Sequence, residues 1–220
     1  MPASIWNNIL DLVFPPCCLV CGRDQDNDEL FDTVCAACFL HIRQSAQEYS
    51  PHKAIDRIVR YGSYQDANMR RLIHAFKYRG VKGLAMPLAE LQARALEEAG
   101  IEGLCFGETP VLTFVPLHPF KQRWRGYNQA QLLAAYLADY FSLPLASLLA
   151  RSFITPAQAS LSSEQARKLN SKGIFTLTAS SAPQKILLVD DVWTSGFTLA
   201  NAAKLLRKAG AKTIWAVTVA

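Results

Sequence analysis

Apolar strands alternating with helices predict an α/β fold, a mostly parallel sheet flanked by helices, behind a small N-terminal metal-binding module. Runs such as VLTFVP (111–116) and KILLVDDV (185–192) lack the polar alternation of half-exposed strands and read as strands buried on both faces. Helical periodicity fills the intervals between them, as crossover connections of a parallel sheet require. Two CxxC pairs stand ahead of this pattern, in the first forty residues.

Taken in order, residues 5–13 (IWNNILDLV) carry Ile5, Trp6, Ile9, Leu10 and Val13 at helical spacing, and Pro15 and Pro16 end that helix. The cysteine segment follows, with an acidic centre, GRDQDNDE, that reads as an exposed loop. Residues 58–64 alternate as a strand. ANMRRLIHAFKY (67–78) sets Met69, Leu72, Ile73 and Phe76 on one helical face and stops at Gly80. A helix over 84–99 closes at Gly100. Beyond the strand 111–116 come a helix (128–141), a strand (148–152), a long polar segment (153–173), strands over 174–178 and 185–192, a helix (198–209) and a last strand (213–220). The expected organisation is residues 1–50 as the helix and metal module and 51–220 as the α/β domain.

At 220 residues, with 50% hydrophobic and 19% charged, the chain can bury a large core and is neither disordered nor fibrous. No apolar run reaches the roughly 20 residues of a membrane-spanning helix. The N-terminus has neither the basic start nor the apolar stretch of a signal peptide, so a cytoplasmic location is expected. Thiols stay reduced there, and clustered cysteines then favour metal over disulfides. The formal charge of +5 leans mildly towards polyanionic ligands.

Cys18-x-x-Cys21 and Cys35-x-x-Cys38 are separated by 13 residues. Each pair lets two thiolates grip one ion from a tight turn, and two pairs complete a tetrahedron around Zn²⁺. Gly22 suits the turn. Four thiolates leave no open coordination position, so the expected role is structural. Cys17 competes with Cys18 for register at a poorer spacing, and Cys105 reads as a core cysteine.

ILLVDDVWTSGFT (186–198) poses a sharper question, because two adjacent carboxylates end a buried strand. Ligands of open α/β sheets sit at the carboxyl ends of strands. The next loop opens a helix and offers hydroxyls from Thr194, Ser195 and Thr198, with Gly196 allowing close backbone approach, which suits a phosphate. Carboxylates beside a phosphate cradle make sense as acceptors for ribose hydroxyls. A plain capped helix accounts for Thr198 but not for the aspartate pair.

This stretch resembles the phosphoribosyl-pyrophosphate (PRPP) signature of type I phosphoribosyltransferases. VPLHPFKQRWRGYNQAQLLAAYLA (115–138), TPAQASLSSEQARKLNSKGIF (155–175) and LIHAFKYRG (72–80) resemble segments of the ComF/GntX competence-related family. The resemblance implies a type I phosphoribosyltransferase-like fold and a ligand-binding role residue by residue. Asp190 and Asp191 would hold the ribose hydroxyls, and Thr194, Ser195, Gly196, Phe197 and Thr198 the 5′-phosphate. Arg125, Gly126, Tyr127, Asn128 and Gln129 would face the pyrophosphate, in keeping with the cluster Lys121, Arg123 and Arg125 before a helix N-terminus. A solvated surface loop would account for those bases too. Gln158, Arg167 and Asn170 match polar positions of a mobile loop that closes over substrate. Lys77 matches a family lysine, while a lysine offsetting its helix dipole reads equally well. Trp193 and Phe197 are bulkier than the loop usually carries. They would narrow it, offer an aromatic face, or pack in the core. His118 has no catalytic partner in view.

Two classes of function follow. One is a Mg²⁺-dependent phosphoribosyltransferase that moves ribose-5-phosphate from PRPP to a nitrogen base or other acceptor, by positioning and electrostatics. The other, favoured as the biological role, keeps the PRPP pocket in a protein of natural competence that handles internalised single-stranded DNA beside a helicase-like partner. KQRWRGY, with its interleaved bases and aromatics, serves both.

Overall fold

The computed structural model describes residues 17–24, 31–42, 53–151 and 174–220. The expected helix 5–13 and the segment holding Gln158, Arg167 and Asn170 lie outside the described residues.

The elements are α1 (Ala36–His41), β1 (Arg57–Arg60), α2 (Ala67–Tyr78), α3 (Ala85–Glu98), α4 (Glu102–Cys105), β2 (Val111–Phe114), α5 (Pro119–Arg125), α6 (Gln129–Phe141), β3 (Leu149–Arg151), β4 (Phe175–Leu177), β5 (Lys185–Val189), α7 (Phe197–Lys208) and β6 (Thr213–Thr218). A four-stranded sheet in the order β1-β6-β5-β2 is parallel throughout. The expected strands at 148–152 and 174–178 do form, but as a separate antiparallel ribbon, β3 with β4. They flank the polar segment 152–173 and pair with each other beside the sheet.

Strand alternation divides the core in two. Leu187, Val189, Trp215 and Val217 point to a face covered by α2, α3 and α6. Ile186, Leu188, Ile214 and Ala216 point to the opposite face, against Leu199, Ala202 and Leu206 of α7 and Leu149 and Phe175 of the ribbon. Both faces are therefore dry, as the unbroken apolar strands implied. α2 starts at Asp66, whose carboxylate accepts from the N–H of Met69 at 2.8 Å. It is followed by Gly80 at φ +72°.

The three short helices α1, α4 and α5 were not expected. α5 lies in the basic segment read as a loop, with Pro119 in its first turn, His118 capping it through Nδ1 and Gly126 ending it at φ +80°. His118 is thus a capping residue. The cysteine segment packs into the α2/α3 core: Cys18, Val34, Cys35 and Phe39 are buried with Leu72, Phe76 and Leu88.

Candidate functional site

β5 runs buried to Val189, and Asp190 follows at its carboxyl end. A cleft of about 160 Å³ opens there, at the carboxyl end of the strands. Asp190, Asp191, Thr194 and Thr198 line it together with Lys77, Arg125, Asn128, Gln129 and Arg151. Residues from α2, α5, α6, β3, α7 and the loop after β5 thus meet at one point.

The two aspartates have different neighbours. Asp191 Oδ1 lies 2.9 Å from Lys77 Nζ, at the end of α2. Burial opposes the charge of Lys77, but Asp191 more than restores it, so its pKa rises. Lys77 therefore answers a carboxylate and does more than offset a helix dipole. The carboxyl of Asp190 is pushed up to about 7, first by burial and then by the charge of Asp191, with Lys77 and Arg151 only partly offsetting them. A carboxylate held so near neutrality suits a site that becomes fully charged when donors and cations arrive with a ligand.

Cations complete the lining. Burial pulls down the pKa of Arg151, which Asp190 opposes, and partial burial with Arg151 and Arg125 nearby pulls down that of Lys121. Like charges gathered this way suit an incoming polyanion. Arg125 stacks over the Tyr78 ring at 5.0 Å, and its buried Nε has no acceptor among the described residues.

The segment 125–129 divides its labour. Tyr127 Oη donates to the Phe76 carbonyl at 2.5 Å, and Gln129 Nε2 donates to the same oxygen at 3.2 Å. Asn128 Nδ2 donates to the Val115 carbonyl at 3.1 Å, and its Oδ1 caps α6. Three side chains therefore fasten the segment to α2 and β2, and Arg125 is the member that brings charge to the cleft. Gly126 supplies the turn, while Arg123 is exposed on α5.

In the loop 192–198, Gly196 caps α7 at φ +68°, and Thr194 and Thr198 on either side of it line the cleft, so a twelve-residue helix begins at the cleft's edge. A Cβ on Gly196 would collide with the Trp193 indole, which lies against it. Ser195 Oγ accepts from Phe197 N–H at 3.5 Å and is exposed. Trp193 and Phe197 are partly buried against the α7 core and are not among the residues lining the cleft. Their bulk is therefore spent on packing.

Two contributors escaped the sequence reading. Arg151 lies within an expected strand (148–152), with nothing in its local pattern to single it out. Gln92, fully buried in α3, donates from Nε2 to the Asp190 carbonyl at 2.8 Å. A polar residue inside the apolar stripe Leu88, Leu91, Ala95, Leu96 was the available signal.

The second centre lies in the cysteine segment. One sulfur from each of Cys18, Cys21, Cys35 and Cys38 falls within 4.8 Å of the others. Gly22 takes φ +74° in the first turn. Burial opposes ionisation of Cys18, but N–H groups of Cys21, Cys35 and Val20 outweigh it and lower the thiol to about 6. Cys35 is lowered, chiefly by the N–H of Cys38. Cys38 is raised, by burial first and then by the neighbouring sulfurs. Four thiols that cannot all ionise beside one another fit a metal dication such as zinc, which would neutralise them together. Cys17 is exposed, pairs with Asp24 as an isolated bridge and lies outside the quartet. Cys105 is partly buried against the core.

Comparison with known proteins agrees with this geometry. Residues 128–220 match the phosphoribosyl transferase domain family, a span that includes β5, the aspartate pair and α7. Competence protein F of Haemophilus influenzae is 34% identical over 163 residues, 72% of this chain and 70% of that protein. DNA utilization protein YhgH of Shigella flexneri is 30% identical over 206 residues, 90% of this chain and 86% of the relative. Competence protein ComFC of Streptococcus pneumoniae is 34% identical over 102 residues, 46% of this chain and 43% of that protein. With a phosphoribosyl transferase domain, a four-cysteine cluster and relatives aligned along most of its length, the chain belongs to the ComF family of competence-related, phosphoribosyltransferase-like proteins.

Proposed function

We propose that the cleft binds PRPP with Mg²⁺, and that the protein uses this bound state in natural competence, in handling internalised single-stranded DNA in the cytoplasm. The observation that carries the reading is the convergence on one cleft of an aspartate pair, a helix N-terminus with hydroxyls, and several cations. Asp190 and Asp191 accept from the ribose hydroxyls. Thr194, Thr198 and the α7 N–H groups hold the 5′-phosphate, with Ser195, Gly196 and Phe197 shaping that loop. Arg125, Arg151 and Lys77 face the pyrophosphate. Two carboxylates beside hydroxyl oxygens suit an oxygen-liganded cation, and Mg²⁺ bound there with PRPP would neutralise the diphosphate. Residues 1–50 serve as a metal-held brace, and 51–220 carry the ligand.

Transfer chemistry is the alternative: pyrophosphate would leave as a nitrogen acceptor attacks the ribose carbon, with the cationic wall steadying the leaving group. Incubation with PRPP, Mg²⁺ and a panel of bases separates the two. Binding without pyrophosphate release supports a ligand-gated protein, and release above background establishes a transferase.

Single-stranded DNA handling draws on a separate observation. On α5, outside the cleft, Phe120 and Trp124 are 67% and 69% exposed one helical turn apart, beside Lys121 and Arg123. Exposed rings among bases form a stacking platform for nucleobases. Single-stranded DNA is expected to bind with an affinity that falls steeply with salt. Trp124→Ala should weaken it about 10-fold, Arg123→Ala should flatten the salt slope, and neither should change PRPP affinity. Salt-independent binding, or no effect of either change, would count against the platform.

A further inference from the structure

The two aspartates share one peptide unit, and both polar groups of that unit are held. The N–H of Asp191 donates to Asp190 Oδ1 at 2.9 Å. The carbonyl of Asp190 accepts from Gln92 Nε2 at 2.8 Å, across 98 residues of chain. This second bond replaces one the sheet would have made. β5 and β6 run parallel in register to Val189 opposite Val217, and Asp190 N–H still donates to the Val217 carbonyl at 3.0 Å. Continuing that ladder would send the Val219 N–H to the Asp190 carbonyl. Val219 instead donates to the Asp191 carbonyl at 3.0 Å. The chain has slipped by one residue at the carboxylate pair, and the Asp190 carbonyl is turned out of the ladder towards α3.

Such a slip re-aims side chains, because strand residues alternate between faces. It also strands a carbonyl, and Gln92 is what receives it. The amide is fully buried, so solvent cannot take over the task. Its orientation is settled by chemistry, since the reverse would set oxygen against oxygen. Oε1 is then left buried without a donor among the described residues. The bond to the Asp190 carbonyl is therefore the amide's hydrogen bond among the described residues.

We propose that Gln92 is a positioning residue: its amide holds the one-residue slip that turns Asp190 and Asp191 into the cleft. The consequence for ligand affinity rests on the PRPP reading, whereas the geometric role does not. Gln92→Met tests it, because methionine keeps the length and packing of the side chain while deleting both the bond and the unpaired oxygen. The variant should melt close to the wild type, while hydrogen exchange at the Asp191 amide accelerates by on the order of 10-fold or more. In the presence of Mg²⁺, PRPP affinity should fall by about the same factor. A purely structural role would lower melting and leave Asp191 exchange and PRPP affinity alone. Unchanged Asp191 protection overturns the proposal. A wild-type protein that does not bind PRPP defeats the reading of the cleft, and the exchange measurement still decides the role of Gln92. If methionine does not pack, Gln92→Leu repeats both measurements.

Discussion

Asp190 and Asp191 are neighbours in sequence with different partners in space. Asp191 is matched by Lys77 at 2.9 Å, while Asp190 is raised to about 7 by burial and by the charge beside it. A carboxyl whose folded pKa lies above its unfolded value stabilises the fold when protonated. That advantage is complete below the unfolded pKa near 4 and is lost as pH rises through about 7. Asp190→Asn should therefore stabilise the ligand-free protein at pH 8 by on the order of 2 kcal/mol, seen as a higher melting temperature, and change its stability little at pH 4. Thermal unfolding across that range checks the sign; a variant less stable than wild type at pH 8 would refute it. At this scale the aspartates, the hydroxyl loop and Arg125 were legible from residue type and spacing. Arg151 and Gln92 were not, because they reach the cleft through tertiary placement that leaves no local mark.

The phosphate loop illustrates the element scale. Gly196 is required twice over, by its left-handed backbone at φ +68° and by the Trp193 indole against it. Gly196→Ala should cost more than about 1 kcal/mol in thermal unfolding and weaken binding at the phosphate end of the cleft. A variant with unchanged melting would mean that the loop relaxes freely. Trp193 and Phe197 anchor this loop to the α7 core instead of filling the cleft. Elements with a full period were readable: ANMRRLIHAFKY forms α2 over the expected residues, and β5, α6 and α7 start within a residue of expectation. The failures have a common cause. α4 and α5 are too short to show a 3.6-residue period, and α5 is set by the His118 cap, Pro119 and Gly126. The β3–β4 ribbon could be read as two strands, but strand propensity does not say which partner a strand takes.

For the whole molecule, the cysteine segment shares its core with the helices that carry the site. Cys18 and Cys35 are buried with Leu72 and Phe76 of α2, and Arg71 donates to the Val20 carbonyl at 2.7 Å. The same helix ends in Lys77, which pairs with Asp191. The protein should contain about one zinc per chain, and chelation or Cys35→Ser should lower melting and PRPP affinity together. Metal-free protein that melts normally would contradict a structural metal. Two dry sheet faces explain why an unbroken apolar strand can end in charge: the sheet needs both faces covered, and its carboxyl end is where the coverings part. The most direct test is calorimetric titration of the zinc-loaded protein with PRPP in Mg²⁺, beside Asp190→Asn and Asp191→Asn. Saturable binding near one site per chain, strengthening as pH rises through about 7 and weakened at least about 10-fold in each variant, is the result that PRPP binding by this cleft predicts. No heat of binding in the wild type, or equal affinity in the aspartate variants, would contradict it.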